Sequence, residues 1–275
     1  MDFCYFNNKI ISLENALVRI DDIGILRGYS VFDFLRTYHG KPFLMKEHLQ
    51  RLRNSAKLLS LHLPLSDYKI EEVIYELLQK NNVKDAQARI VLTGGKTIDG
   101  MGFDSRHPIF AILIEPLAVP PAKLYKKGGK LITDIHLRHL FEAKTTNYIN
   151  AISLAAERKK NGAIEILYIF ENNVLECSTS NFFLIKNNTV ITPKKNILLG
   201  ITRNFILNLV MKEFSIEERD IHFDELARAD EAFITATNKE VLPIVQIDST
   251  TIGNEKIGKN TKKIMEMFAA AIRSL

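Results

Sequence analysis

Cysteine is scarce. Cys4 and Cys177 are the only two in 275 residues and lie far apart, so no disulfide framework can be built from them. The first nine residues lack a basic stretch followed by an apolar one, so no secretory signal is expected. Both thiols then read as reduced side chains of a cytoplasmic protein. No run of about 18 apolar residues occurs, which excludes a membrane-spanning helix. Blocks of like charge are also missing. The net charge is +5 and the pI about 9.0, and basic pairs such as Lys126-Lys127 and Lys194-Lys195 stay short. No nucleic-acid partner is expected, whereas a mild positive excess suits small anionic ligands. His136 and His139 have no Cys or carboxylate at ligand spacing, so no metal site is expected. Gly95-Lys96-Thr97 mimics the end of a nucleotide phosphate loop, but Ile90 stands where the first glycine belongs. There are no internal repeats and no low-complexity segments.

What remains is an ordinary globular composition, 46% hydrophobic and 25% charged, with ample length for a core. The pattern predicts a mixed α/β chain. Residues 34–38 and 41–45 read as a hairpin turning at Gly40. Helices are expected at 46–62 and 65–81 from apolar residues at three- and four-residue spacing. Strands follow at 88–93 and 109–114. A proline-rich stretch then marks a linker, dividing the chain into 1–115, a 116–122 linker, and 123–275. Beyond it we expect a strand at 130–135, a helix at 147–160, two hairpins turning at 171–173 and 186–188, a helix at 204–213, a strand at 232–236 and a helix at 260–274.

The most informative stretch runs from Glu176 through Cys177, Ser178, Thr179 and Ser180 to Asn181, between two strand-like segments. Lys144 lies upstream at a strand-to-helix junction. Taken alone, Lys144 is a solvated charge and Glu176 an outward-facing strand residue. Together they fit a pyridine cofactor, the lysine holding its aldehyde and the glutamate its ring nitrogen. Gly200-Ile201-Thr202 ahead of a helix fits a phosphate cup of free backbone N–H groups, or equally an ordinary turn with Thr202 as helix cap. Arg51 on the first long helix is an exposed arginine by default and a phosphate ligand otherwise.

These segments in this order resemble the fold-type IV pyridoxal-phosphate enzymes, the class IV aminotransferases. That family includes branched-chain and D-amino acid aminotransferases, R-selective amine transaminases and aminodeoxychorismate lyases. The likeness is carried by residues 31–40, 47–52, 144–148, 176–181, 200–203 and 237–240. It implies a small α/β sandwich domain, a larger pseudo-barrel domain, bound pyridoxal 5′-phosphate, and a homodimer with active sites at the subunit interface. It implies that Lys144 binds the cofactor covalently and moves a proton between Cα and C4′, and that Glu176 pairs with the pyridinium. Arg51, Ile201, Thr202, Thr237 and Asn238 would hold the phosphate, Tyr148 the ring hydroxyl, and Ser180 would lie beside the cofactor. The implied reaction moves an amino group between an amino acid, D- or branched-chain L-, and a 2-oxo acid. The alternative is the lyase that releases pyruvate and 4-aminobenzoate from aminodeoxychorismate. The chain departs from the family where Gly-Asp-Gly and Val-Phe-Glu are usual. Here stand Arg27-Gly28-Tyr29-Ser30 and Val31-Phe32-Asp33. Arg27 or Arg89 is therefore expected to read a substrate carboxylate, with a surface or interface salt bridge as the other role for Arg27.

Overall fold

The computed structural model describes residues 1–275 and is of the expected mixed α/β class. The chain forms two compact units. The first is Met1–Ala118 with Ala143–Asn147, and the second is Val119–Glu142 with Tyr148–Leu275. From the sequence, all of 123–275 is expected in one domain. The structure instead counts the lysine-bearing segment with the first unit, where its backbone is hydrogen-bonded.

In the first unit, β1 (Phe3–Phe6), β2 (Lys9–Ser12), β3 (Ser30–Tyr38), β4 (Lys41–Pro42), β5 (Ala86–Thr93) and β6 (Phe110–Pro116) form one antiparallel sheet, ordered β2-β1-β6-β5-β3-β4. A short helix α1 (Ile23–Arg27) precedes β3. Helices α2 (Met45–Leu58) and α3 (Asp67–Lys80) cover one face of the sheet. Leu49, Leu52 and Ala56 of α2 and Ile70, Ile74 and Leu77 of α3 pack on Val31, Leu35, Ile90 and Ile112. Each such side chain contributes about 2 kcal/mol by leaving water. Helix α2 stops four residues earlier than its periodicity suggests. Ser60 takes a left-handed φ of 54°, and Leu61 N–H bonds back to Ala56 C=O at 2.8 Å. This closes the helix while Leu59 and Leu61 stay buried, the job usually given to glycine.

The second unit contains α4 (Ala122–Lys127), β7 (Gly129–Ile135), α5 (Ile149–Ser153), α6 (Ala155–Lys160), β8 (Glu165–Phe170), β9 (Asn173–Cys177), β10 (Asn181–Lys186), β11 (Thr189–Thr192), α7 (Ile201–Val210), β12 (Ser215–Glu218), β13 (Ile221–His222), β14 (Glu231–Ala236), β15 (Glu240–Ile247), β16 (Thr250–Thr251) and α8 (Lys259–Arg273). Its strands form one ten-stranded half-barrel sheet, ordered β12-β11-β10-β14-β15-β7-β8-β9-β13, with β16 on β15.

Two expectations are corrected here, and one strand had not been expected. The helix predicted over 147–160 starts at Ile149 and is broken at Leu154 (φ −90°, ψ 3°). It cannot start earlier because Thr146 N–H is bonded to Ser30 C=O as extended chain. The helix predicted from 204 starts at Ile201, and its cap is Gly200, not Thr202. Strand β15 escapes a sequence reading because Pro243 interrupts it. Its pairing with β7 begins only at Ile244, so proline has no ladder partner on that side.

Candidate active site

In the first unit the lysine segment behaves as a short extra strand on the edge of β3. Phe32 N–H donates to Lys144 C=O at 3.0 Å, and Thr146 N–H to Ser30 C=O at 3.2 Å. The hydroxyls of Ser30 and Thr146 are also bonded to each other. From α2, Ser55 Oγ accepts from Lys144 N–H at 2.9 Å. The backbone of Lys144 is thus fixed from two sides. Its Nζ lies 4.7 Å from the centroid of the Phe32 ring, an apolar and electron-rich neighbour for an amine.

Behind β3 lies a buried charge cluster. Asp33 is fully buried and receives Arg51 through Nε and Nη2, both at 2.8 Å. His48 Nδ1 lies 2.7 Å from the same carboxylate. Burial is the largest influence on Asp33 and raises its pKa. Arg51 and His48 together outweigh it and hold the carboxyl well below the usual range. Burial pushes His48 below its ordinary value despite Asp33, so the neutral ring donates Nδ1–H to the carboxylate. Asp33 takes one edge of the Arg51 fork and leaves Nη1 for another acceptor.

In the second unit Glu176 is almost fully buried, not outward-facing. Arg138 Nε donates to its Oε1 at 2.8 Å, and Leu198 N–H to its Oε2 at 3.1 Å. Arg138 is itself steadied by Phe141 C=O at 2.6 Å. A bulge places the glutamate. On β8 only Tyr168 lies between Leu167 and Ile169, whereas on β9 Leu175 and Glu176 lie between their partners Cys177 and Val174. The extra residue breaks strand alternation and re-aims a side chain.

Leu198 also links Glu176 to the approach to α7, because Asn181 Nδ2 donates to its C=O at 2.8 Å. Gly200 caps α7 without any side-chain hydrogen bond, and a Cβ there would collide with Asn181 Oδ1. The first-turn N–H groups, those of Ile201 and Thr202 among them, have no intrahelical acceptor. Thr235 faces Asn181 across the β10–β14 ladder, and its buried Oγ1 has no partner. Thr237 and Asn238 occupy the half-buried turn between β14 and β15. Ser180 spends its only hydroxyl hydrogen on Glu165 Oε1 at 2.6 Å. Tyr148 is half-buried at the start of α5.

The two substrate candidates differ. Arg27 is exposed and bonds only the neighbouring Leu26 C=O. Arg89 is paired with Glu115 at 3.0 Å and lies 5.6 Å from the Phe32 ring centroid, on the ring that also neighbours Lys144.

Arg138 and Glu165 went unseen in the sequence, and His48 and Lys239, though inside matched segments, were given no role of their own. Arg138 alone carried a faint signal, as a basic residue just past a strand end. The others are ordinary charged residues until folding buries them.

The profile of the class IV amino-transferase family matches residues 30–247. The chain belongs to this family. A Methanocaldococcus jannaschii protein provisionally named a branched-chain-amino-acid aminotransferase is 33% identical over 96% of this chain and 94% of its own. A D-alanine aminotransferase of Bacillus licheniformis is 30% identical over 98% and 96%. A solved T.th. branched-chain amino acid aminotransferase, complexed with N-(5′-phosphopyridoxyl)-L-glutamate, superposes with a TM-score of 0.88. It is 26% identical, and the match covers 99% of this chain and 94% of that one. The class IV membership expected from the sequence is thereby established, and with it an aminotransferase enzyme.

Proposed function

We propose that this aminotransferase uses pyridoxal 5′-phosphate to move an amino group between an amino acid, D- or branched-chain L-, and a 2-oxo acid. The observation that carries this reading is the buried Glu176, held by Arg138 and the Leu198 amide. An ion-paired carboxylate can keep a pyridine nitrogen protonated. When bound, the cofactor supplies an electron sink for the bond to be broken at the amino acid's Cα.

The chain's residues fit that group. The uncapped start of α7, Gly200, where a Cβ would meet Asn181 Oδ1, and the unsatisfied Thr235 Oγ1 suit a phosphate. Ile201, Thr202, Thr237, Asn238 and Arg51 Nη1 would hold it. Lys144 Nζ would take the aldehyde and carry a proton between Cα and C4′, and Tyr148 would bond the ring hydroxyl. Ser180 acts through Glu165, since its hydrogen is already used. Arg89 is favoured over Arg27 for the substrate carboxylate because it shares the Phe32 ring with Lys144.

A homodimer is part of this reading. Its support is the large apolar side chains left exposed, Leu17, Ile20 and Ile25 in the first unit and Ile135, Ile149 and Ile152 in the second. The test of function is amino transfer from a panel of L- and D-amino acids to 2-oxoglutarate and pyruvate. Transfer from branched-chain L- or from D-amino acids is expected. Pyruvate release from aminodeoxychorismate without any transfer would replace this reading by the lyase.

A further inference from the structure

Glu165, the first residue of β8, is buried in the second unit and is absent from the roles assigned above except as the partner of Ser180. Its carboxylate collects five donors. Oε2 accepts from Ser178 Oγ and Thr179 N–H, both at 2.8 Å. Oε1 accepts from Thr179 Oγ1 and Ser180 Oγ, both at 2.6 Å, and from Lys239 Nζ at 2.7 Å. Lys239 Nζ also donates to Thr179 Oγ1 at 2.9 Å. Every hydroxyl of the 178–180 turn therefore spends its hydrogen on Glu165.

The ladder explains why one lysine can reach this turn. Asn181 opens β10 directly opposite Thr235 near the end of β14. The turn before β10 and the turn after β14 thus share one end of the sheet. The first follows Glu176 and the second carries Thr237 and Asn238.

A buried ion pair is weak evidence for stability, because well-packed apolar residues do as well in its place. What an ion pair adds is position. It accepts only one arrangement of its partners, and a carboxylate with every lone pair engaged holds a turn with little freedom.

We propose that Glu165 and Lys239 are positioning residues of the cofactor site, locking the turn behind Glu176 to the turn that carries Thr237. The inference rests on the proposed cofactor. Glu165 is the hub, and Lys239 is the tie between the two turns. Loss of the tie frees the Thr237 turn and so weakens the hold on a phosphate. Loss of the hub frees both turns and so disturbs the ring end as well.

The test compares two probes, pyridoxal 5′-phosphate and phosphate-free pyridoxal, on the full-length protein. Lys239→Met should release pyridoxal 5′-phosphate about tenfold faster than wild type, as expected for a lost charge-assisted contact. It should bind pyridoxal as wild type does. Lys239→Arg, which keeps the charge, should restore slow release. Glu165→Gln should weaken both probes and shift the absorbance of the bound cofactor. An unchanged release rate in Lys239→Met overturns the inference. So does equal weakening of both probes in that variant, which would mark a merely structural role. Wild-type protein that takes up no pyridoxal 5′-phosphate would instead overturn the proposed function, and the inference with it.

Discussion

At the scale of single residues, charge in this protein is placed where burial would forbid it without a partner. Asp33 is an example. Replacing it with Asn leaves Arg51 and His48 without their anion and should destabilise the fold by about 3 kcal/mol, read as a lowered denaturation midpoint. Arg138 shows the same logic with a functional outcome. Arg138→Gln should leave the cofactor on Lys144 but slow amino transfer on the order of 100-fold, because Glu176 loses the cation that holds it in place. Glu165 gives a pH test. Burial raises its pKa, but Lys239 and the turn hydroxyls lower it further, from 4.5 to about 2. A depressed carboxylate contributes its stability above its unfolded pKa and loses it as pH falls through the folded one. About 3 kcal/mol should therefore be present at neutral pH and fade between about pH 4.5 and 2. Melting temperatures of wild type and Glu165→Gln should differ at pH 7 and converge near pH 2. A gap that stays constant with pH would contradict this. Lys144, Glu176 and Thr202 were marked as candidates in the sequence because the types and order of the residues around them are specific. Arg138, Glu165 and Lys239 were not, because a charged residue takes a role only once folding sets its neighbour.

At the scale of elements, local devices position the candidate residues within each unit. The edge of β3 takes up the lysine segment as a short strand, the β9 bulge turns Glu176, and Gly200 opens the start of α7. Gly200 has an ordinary φ of −68°, so its value is space rather than backbone freedom. Gly200→Ala should push the new Cβ into Asn181, disturb the Leu198 contact with Glu176, and weaken cofactor binding more than it lowers the melting temperature. Titration of the variant with pyridoxal 5′-phosphate beside a melting curve checks this. Apolar periodicity exposed α2, α3 and α8 because each has one wet face. It missed β15 because proline disguises a strand whose pairing with β7 starts one residue later. It extended the helix over 147–160 too far because nothing local reveals that Thr146 is bonded to Ser30, more than a hundred residues earlier.

At the scale of the whole molecule, the 116–122 linker was expected from its prolines, and the two compact units part between Ala118 and Val119. The return of Ala143–Asn147 to the first unit had no signal in composition, because it depends on the free edge of β3. Exposed Leu17, Ile20, Ile25, Ile135, Ile149 and Ile152 should be covered in a homodimer. Sedimentation equilibrium should give about twice the 31.4 kDa of the chain, and a monomer at micromolar concentration would contradict that part of the reading. The central claim is that Lys144 carries the cofactor. Its most direct test is borohydride reduction of the purified, cofactor-loaded protein followed by peptide mass mapping. The account predicts a phosphopyridoxyl group on the peptide that contains Lys144, and none in Lys144→Ala. A label on another lysine, or no label at all, would contradict it.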